Sequence, residues 1–222
     1  MGKLILIEGT DCSGKETQSK LLVEKLNKRG IKATYFTFPY YDSPTGKIVG
    51  GPYLGKKEMG DSYFEEGASK VPAKVASLYF AADRLYNLDY LKKLLEDNEY
   101  VILDRYVYSN MAHQGGKLET KEARFAMYDF LYELEFNMLG LIKPDLVIFL
   151  HMPYLYASIL KQNRTYLDGH EKDANHLKNA ENAYLELSDR YNFSYVVCVK
   201  DNEIRNIDDI NEELYNKILN NK

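Results

Sequence analysis

The chain has no tryptophan, only two cysteines, no long apolar run and no large excess of either charge. The missing tryptophan excludes no function; with Tyr, Lys, Asn and Ile abundant it fits the composition of an AT-rich genome. The cysteines, Cys12 and Cys198, fall in different segments, which excludes a disulfide framework and fits a reducing cytoplasm. No apolar stretch approaches the roughly 20 residues of a membrane helix, so no membrane partner is expected. The first apolar stretch ends at Glu8 and does not read as a secretory signal. A net charge of −4 argues against nucleic acid as a partner. Repeats and low-complexity tracts are missing too, and 222 residues suffice for a single domain, 1–222, with a mobile insert.

What is there begins with Lys3–Glu8, a strand running into Gly9-Thr10-Asp11-Cys12-Ser13-Gly14-Lys15. The spacing G-x-x-x-x-G-K lets the glycines bend the backbone until successive N–H groups converge, and Lys15 adds a mobile charge. A helix expected over 18–28 turns its positive end toward the same anion. Gly9 to Thr17 is therefore the candidate ATP site, with Mg²⁺ as the metal. Where Ser or Thr usually binds the metal this chain has Glu16, followed by Thr17. Glu16 is either repelled by the phosphates or a hard oxygen ligand.

Further strands are expected at 33–38, 100–104, 145–150 and 195–199. Helices are expected at 72–96, 121–139, 154–161, 173–191 and 207–219. This alternation predicts an α/β fold, a five-stranded parallel sheet with helices on both faces, binding ligands at the strands' carboxyl ends. Residues 43–70 read as a short helix and a loop. Residues 161–173 read as a small lid. After the 100–104 strand comes Asp104-Arg105-Tyr106. There an acid can hold Mg²⁺ or its water shell, and an arginine can fork onto a phosphate.

Together with Phe38-Pro39, with Phe80 to Arg84, with Asp104 to Gly115 and with Leu167 to Asp173, the loop resembles the thymidylate kinases, P-loop enzymes that phosphorylate dTMP with ATP. The resemblance spans nearly the full length. It implies that Phe80 stacks on thymine, that Arg84, four residues on, donates to a base carbonyl, and that Arg105 holds the acceptor phosphate. Ser109 and Asn110 would lie by the base, Gln114 at its edge, His113 near the sugar C2′ as a steric block, and Asp11 near the monophosphate's sugar or its metal. Phe38 would flank the acceptor phosphate and Tyr41 close over the sugar. Asp168 and Glu171 would sit near the 3′-hydroxyl, and Lys161 and Arg164 would bring charge to the transferring group. Lys15, Asp104, Arg105 and Arg164 are the catalytic candidates; Asp104 and Glu16 are the metal candidates.

Two departures from the family stand out. Tyr40 replaces an Arg that some members carry after the proline, and Cys12 replaces a loop cation. Cys12 also suggests a thiol of lowered pKa whose alkylation blocks ATP. The rival readings are another P-loop nucleotide or deoxynucleoside kinase with a different acceptor, and a non-catalytic nucleotide binder. The 122–139 helix is apolar over much of its circumference, as a core helix or a homodimer face would be.

Overall fold

The computed structural model describes residues 1–162 and 174–220. Five parallel strands make its sheet: β1 (Lys3–Glu8), β2 (Ala33–Thr37), β3 (Tyr100–Asp104), β4 (Leu146–His151) and β5 (Ser194–Val197). Their order is β2-β3-β1-β4-β5, with Leu6 opposite Leu103 on one side and Val147 on the other. Side chains alternate across the sheet, so β1 feeds two cores. Leu4 and Leu6 join one core, while Ile5 and Ile7 join the other.

The helices divide accordingly. Helix α1 (Lys15–Lys28) brings Leu22 and Leu26 to the Ile5/Ile7 face. The polar stretch after β2 forms α2 (Pro44–Ile48), capped by Ser43 accepting from Gly46 N–H, then a π-turn at Val49–Tyr53. Helices α3 (Ala73–Tyr86) and α4 (Leu88–Asp97) follow. Helix α5 (Val107–Gly115) is buried at every residue. After it come α6 (Lys121–Tyr132), α7 (Tyr154–Gln162), α8 (Ala174–Arg190) and α9 (Ile207–Asn220). Helix α4 supplies Leu91 and Leu95, α6 Leu131 and α8 Tyr184 to the Leu4/Leu6 core, while α9 supplies Leu214 and Ile218 opposite.

Several elements differ from the sequence expectation by more than a residue or in kind. Helix α1 begins at Lys15 rather than residue 18, because Gly14 in the left-handed region (φ 84°) turns the loop directly into it. The single helix expected over 72–96 is interrupted at Asn87, whose Nδ2 donates to Asp83 O at 2.7 Å and so competes with the helix's own ladder. The helix expected over 121–139 changes to a π-turn at Glu133–Met138, which buries Glu135. Helix α5 was expected only as a motif; because it is buried all round it shows no amphipathic period. The last sheet strand is also shorter than expected, giving way to a hairpin of β6 (Val199–Lys200) and β7 (Glu203–Ile204).

Candidate active site

A cleft of about 570 Å³ opens at the carboxyl ends of β1, β2 and β3 and is walled by α3 and α5. One end of it is the Gly9–Lys15 loop. Gly9 is required there, since a Cβ would stand 2.5 Å from Leu150 O. Cys12 (φ 62°) and Gly14 (φ 84°) are both left-handed, the first a conformation that costs a non-glycine residue about 1 kcal/mol. Lys15 is buried and donates from Nζ to Thr10 O at 2.8 Å. Burial, reinforced by Arg105, pushes its pKa down to about 8 against the pull of Asp104, Asp11 and Glu8.

Asp104 ends β3 at the cleft floor. Its Oδ2 accepts from Tyr35 OH at 3.3 Å, while Oδ1 is buried with no partner among the described residues. Burial raises its pKa, countered by Lys15 and Arg105; Glu16 across the cleft raises it further. Glu16 is exposed and paired with Lys20 at 2.5 Å. An unspent buried carboxylate oxygen with a second carboxylate nearby suits Mg²⁺, which takes one or two carboxylates and keeps phosphates and waters as its other ligands. Among the described residues no group of three acids, histidines or cysteines could form a complete metal cage.

Arg105 follows Asp104 in the left-handed region (φ 64°), which aims its side chain along the cleft. The guanidinium is ion-paired with Asp11 and donates from Nη1 to His113 Nε2 at 3.3 Å. Behind it lies Glu8, fully buried, which accepts from the backbone N–H of Tyr106 and Ser109 at 3.0 Å, from Ser109 Oγ at 2.6 Å and from Tyr184 OH at 2.9 Å. Burial raises the Glu8 pKa, opposed by these bonds and by Arg105. Ser109 thus lines the cleft but spends its hydroxyl holding α5 to β1.

The far end is set by α3, α5 and the π-turn. Arg84 is buried and forked onto Glu135, Nε to Oε2 at 2.5 Å and Nη2 to Oε1 at 2.8 Å. Asn110 Nδ2 donates to the same Glu135 Oε1 at 2.9 Å and to Ser77 O at 3.1 Å. With both amide hydrogens spent, Asn110 offers the cleft only Oδ1, which is buried without a partner among the described residues, as are both amide atoms of Gln114. Phe80 presents its ring to the cleft, braced edge-on by Tyr53 at 5.5 Å. Phe38 is buried beside Tyr106, and Tyr41 lies under Lys56 Nζ at 4.2 Å.

The structure therefore brings Gly9 to Thr17, Phe38, Tyr41, Phe80, Arg84, Asp104, Arg105, Ser109, Asn110, His113 and Gln114 to one cleft or its rim. Arg164, Asp168 and Glu171 lie outside the described residues. Sequence reasoning missed Glu8 and Glu135, the buried carboxylates behind the two arginines; Glu135, between Leu134 and Phe136, carried the signal of a carboxylate inside an apolar run, whereas Glu8, at the end of its strand, carried none. It also missed His176 on α8 and the Lys56-Lys57 stretch that reaches the cleft wall.

Comparison with known proteins agrees with this geometry. The sequence model of the family "Thymidylate kinase" matches residues 7–210. A probable thymidylate kinase of Methanocaldococcus jannaschii is 32% identical over 215 residues, 97% of this chain and 93% of the relative. The thymidylate kinase of Plasmodium falciparum is 35% identical over 164 residues, 74% of this chain and 66% of the relative. Among solved structures, thymidylate kinase from Candida albicans superposes with a TM-score of 0.75 at 26% identity, over 99% of this chain and 92% of that one. With the P-loop and the Asp104-Arg105 pair on one cleft that Phe80 and Asn110 also line, the chain belongs to the thymidylate kinase family.

Proposed function

We propose that this chain transfers the γ-phosphoryl group of MgATP to the 5′-phosphate of dTMP, giving dTDP and ADP, with the residues of the cleft in the following roles. The loop amides and Lys15 hold the donor phosphates. Arg105, pinned by Asp11, meets the acceptor phosphate. That phosphate is already an anion, so no strong general base is needed, and catalysis is mostly positioning and charge neutralisation. Asp104, with Glu16 nearby, would hold Mg²⁺, which when bound would supply charge neutralisation at the donor oxygens.

The observation that carries the acceptor choice is Asn110. Its remaining polar atom is an acceptor, so it suits a ring N–H. Thymine and uracil carry a hydrogen at N3, whereas cytosine carries a lone pair there. Arg84 keeps outer N–H groups for a base carbonyl, and Phe80 supplies a flat face. A coupled assay over dTMP, dUMP, dCMP, dGMP and thymidine tests this. Thymidine lacks the phosphate Arg105 holds and is expected to be inert, and dTMP to exceed dCMP in kcat/KM by at least about tenfold, the scale of one unmatched hydrogen bond. Equal rates with dCMP would refute the assignment.

The single domain 1–222 with a lid at 161–173, and a cytoplasmic location, belong to the same reading. Neither Cys12 nor Cys198 is in a disulfide among the described residues, and no described helix is long and apolar enough to cross a membrane. Of the two readings of the 122–139 stretch, core and dimer face, its burial favours the core. Met127, Tyr128, Leu131 and Phe136 of the 122–139 stretch are core. Helix α3 instead exposes Val75, Leu78, Leu85 and Tyr86 along one side. A second copy pairing through α3 covers that stripe. Sedimentation of wild type and Leu78→Glu is expected to give dimer and monomer respectively; a monomeric wild type at micromolar concentration rejects it.

A further inference from the structure

Two histidines stand behind the acceptor-phosphate arginine. His113 on α5 and His176 on α8 are both buried, 8% and 5% exposed, with rings 5.4 Å apart and 25° from parallel. His113 Nδ1 and His176 Nε2 are 3.2 Å apart, a hydrogen-bond distance. On its other side His113 Nε2 meets Arg105 Nη1 at 3.3 Å. Tyr184 closes the edge of the His113 ring at 6.2 Å, nearly perpendicular.

The direction of each bond follows from the donors present. A guanidinium has only N–H groups, so His113 Nε2 accepts from Arg105. Burial depresses the His113 pKa well below its usual value, Arg105, His176 and Lys15 adding to this against Asp11, so the ring is neutral and carries one proton. With Nε2 accepting, that proton is on Nδ1. Nδ1–H therefore donates to His176 Nε2, and a neutral His176 carries its own proton on Nδ1. Each ring fixes the tautomer of the next.

We infer that His176 is a positioning residue for the acceptor-phosphate site: by accepting from His113 Nδ1–H it holds the His113 Nε2 lone pair toward Arg105, and so fixes the plane in which the Arg105 fork meets the monophosphate. Asp11 pins Nη2 of the same guanidinium and the His113–His176 pair pins Nη1. A guanidinium held at both ends loses little further freedom when it binds. Without the acceptor on α8, the His113 ring loses the hydrogen bond that ties it to that helix. The ring then has one contact fewer to fix its plane, and its Nε2 lone pair is free to turn away from Arg105. This inference rests on the reading of Arg105 as the acceptor-phosphate ligand.

The test combines kinetics with ring spectroscopy. His176→Phe keeps an aromatic ring against His113 and removes the acceptor. His176→Gln restores an oxygen near the former Nε2 position. The expected result for His176→Phe is a KM for dTMP raised about tenfold, the scale of one buried hydrogen bond, with the KM for ATP little changed. His176→Gln is expected to recover most of that loss. Only four histidines occur in the chain, so long-range ¹H–¹⁵N spectra of the imidazoles are simple to assign. In ligand-free wild type they should show His113 protonated at Nδ1, with the resonance of that N–H moved in His176→Phe, where its acceptor on α8 is gone.

A wild-type His113 protonated at Nε2 overturns the inference whatever the enzyme phosphorylates, and so stands even if a variant fails to fold. Equal dTMP KM in wild type and folded His176→Phe also overturns it, as does a Gln variant no better than Phe. Wild type that makes no dTDP refutes the underlying reading of Arg105 instead.

Discussion

The two ends of the cleft are built by different means. The donor end is main chain: one loop between β1 and α1, two left-handed residues and one buried lysine, all within a few positions of sequence. The acceptor end is side chain: Phe80 and Arg84 from α3, Arg105 from the β3 terminus, Asn110, His113 and Gln114 from α5. Buried partners on other elements hold them, namely Glu8 on β1, Glu135 in the π-turn and His176 on α8. A backbone site tolerates change in what surrounds it as long as the turn survives. A side-chain site depends on what stands behind each group. On the proposed reading, specificity for the acceptor is spread over many elements, whereas the holding of the donor phosphates is concentrated in one.

The strongest break in this comparison removes one charge at each end. Lys15→Ala and Arg105→Ala are each expected to lower turnover on the order of 10² to 10⁴, the scale of a lost charge-stabilising contact. The accompanying loss of binding should fall on ATP for the first and on dTMP for the second. Steady-state kinetics with each substrate varied separates the two, and near-wild-type turnover in either variant contradicts the assignment.

Glu135→Ala comes next. It leaves the Arg84 guanidinium, 3% exposed, without its buried counterion. Losing one partner of such a pair costs about 3–5 kcal/mol. Urea unfolding is expected to show that loss, and the surviving folded enzyme to bind dTMP poorly while keeping its ATP affinity. An unchanged midpoint would mean that Arg84 does not depend on the π-turn.

How much of this was legible differs between the two ends in the same way. The P-loop could be read because its requirements are local: a strand, a bend that needs Gly9, and a lysine at a fixed spacing. The sheet was legible because β1 and β3 are apolar on both faces, the mark of strands between two helix layers. Arg84 and Asn110 were named through the family motifs, but Glu135, which binds both, was not. Its burial depends on a π-turn inside what reads as one continuous helix. Helix α5 was hidden for the opposite reason: with every residue buried, it shows no polar face to set a period. Glu8 sits last in a strand and looks like a strand-ending surface residue. Only the approach of Tyr106, Ser109 and Tyr184 from elsewhere makes it a buried acceptor.

A finer test concerns the base. Asn110→Ala removes the acceptor offered to N3–H and is expected to narrow the preference for dTMP over dCMP by about tenfold, the cost of one unmatched buried hydrogen bond. Competition between the two nucleotides measures the ratio directly. A preference that survives intact assigns the discrimination to Arg84 and Gln114.

The smallest expected effect is in pH. With its pKa pushed down to about 8 by burial, Lys15 loses its proton in the free enzyme as pH rises through that value. A bound triphosphate favours the charged form and raises the pKa again. ATP binding should therefore take up a proton above about pH 8 and weaken as pH rises, and show no such uptake well below it. The Kd for dTMP is expected to follow this less closely. Calorimetry in two buffers of different ionisation enthalpy reads the proton uptake; its absence above pH 8 means that Lys15 is already charged without ATP.

The measurement that bears most directly on the account is product analysis by ³¹P NMR of the folded protein given ATP, Mg²⁺ and dTMP. Resonances of dTDP and ADP growing in equal amounts, and lost in Arg105→Ala, are the predicted result. A folded wild-type chain that binds both nucleotides and forms no dTDP contradicts it.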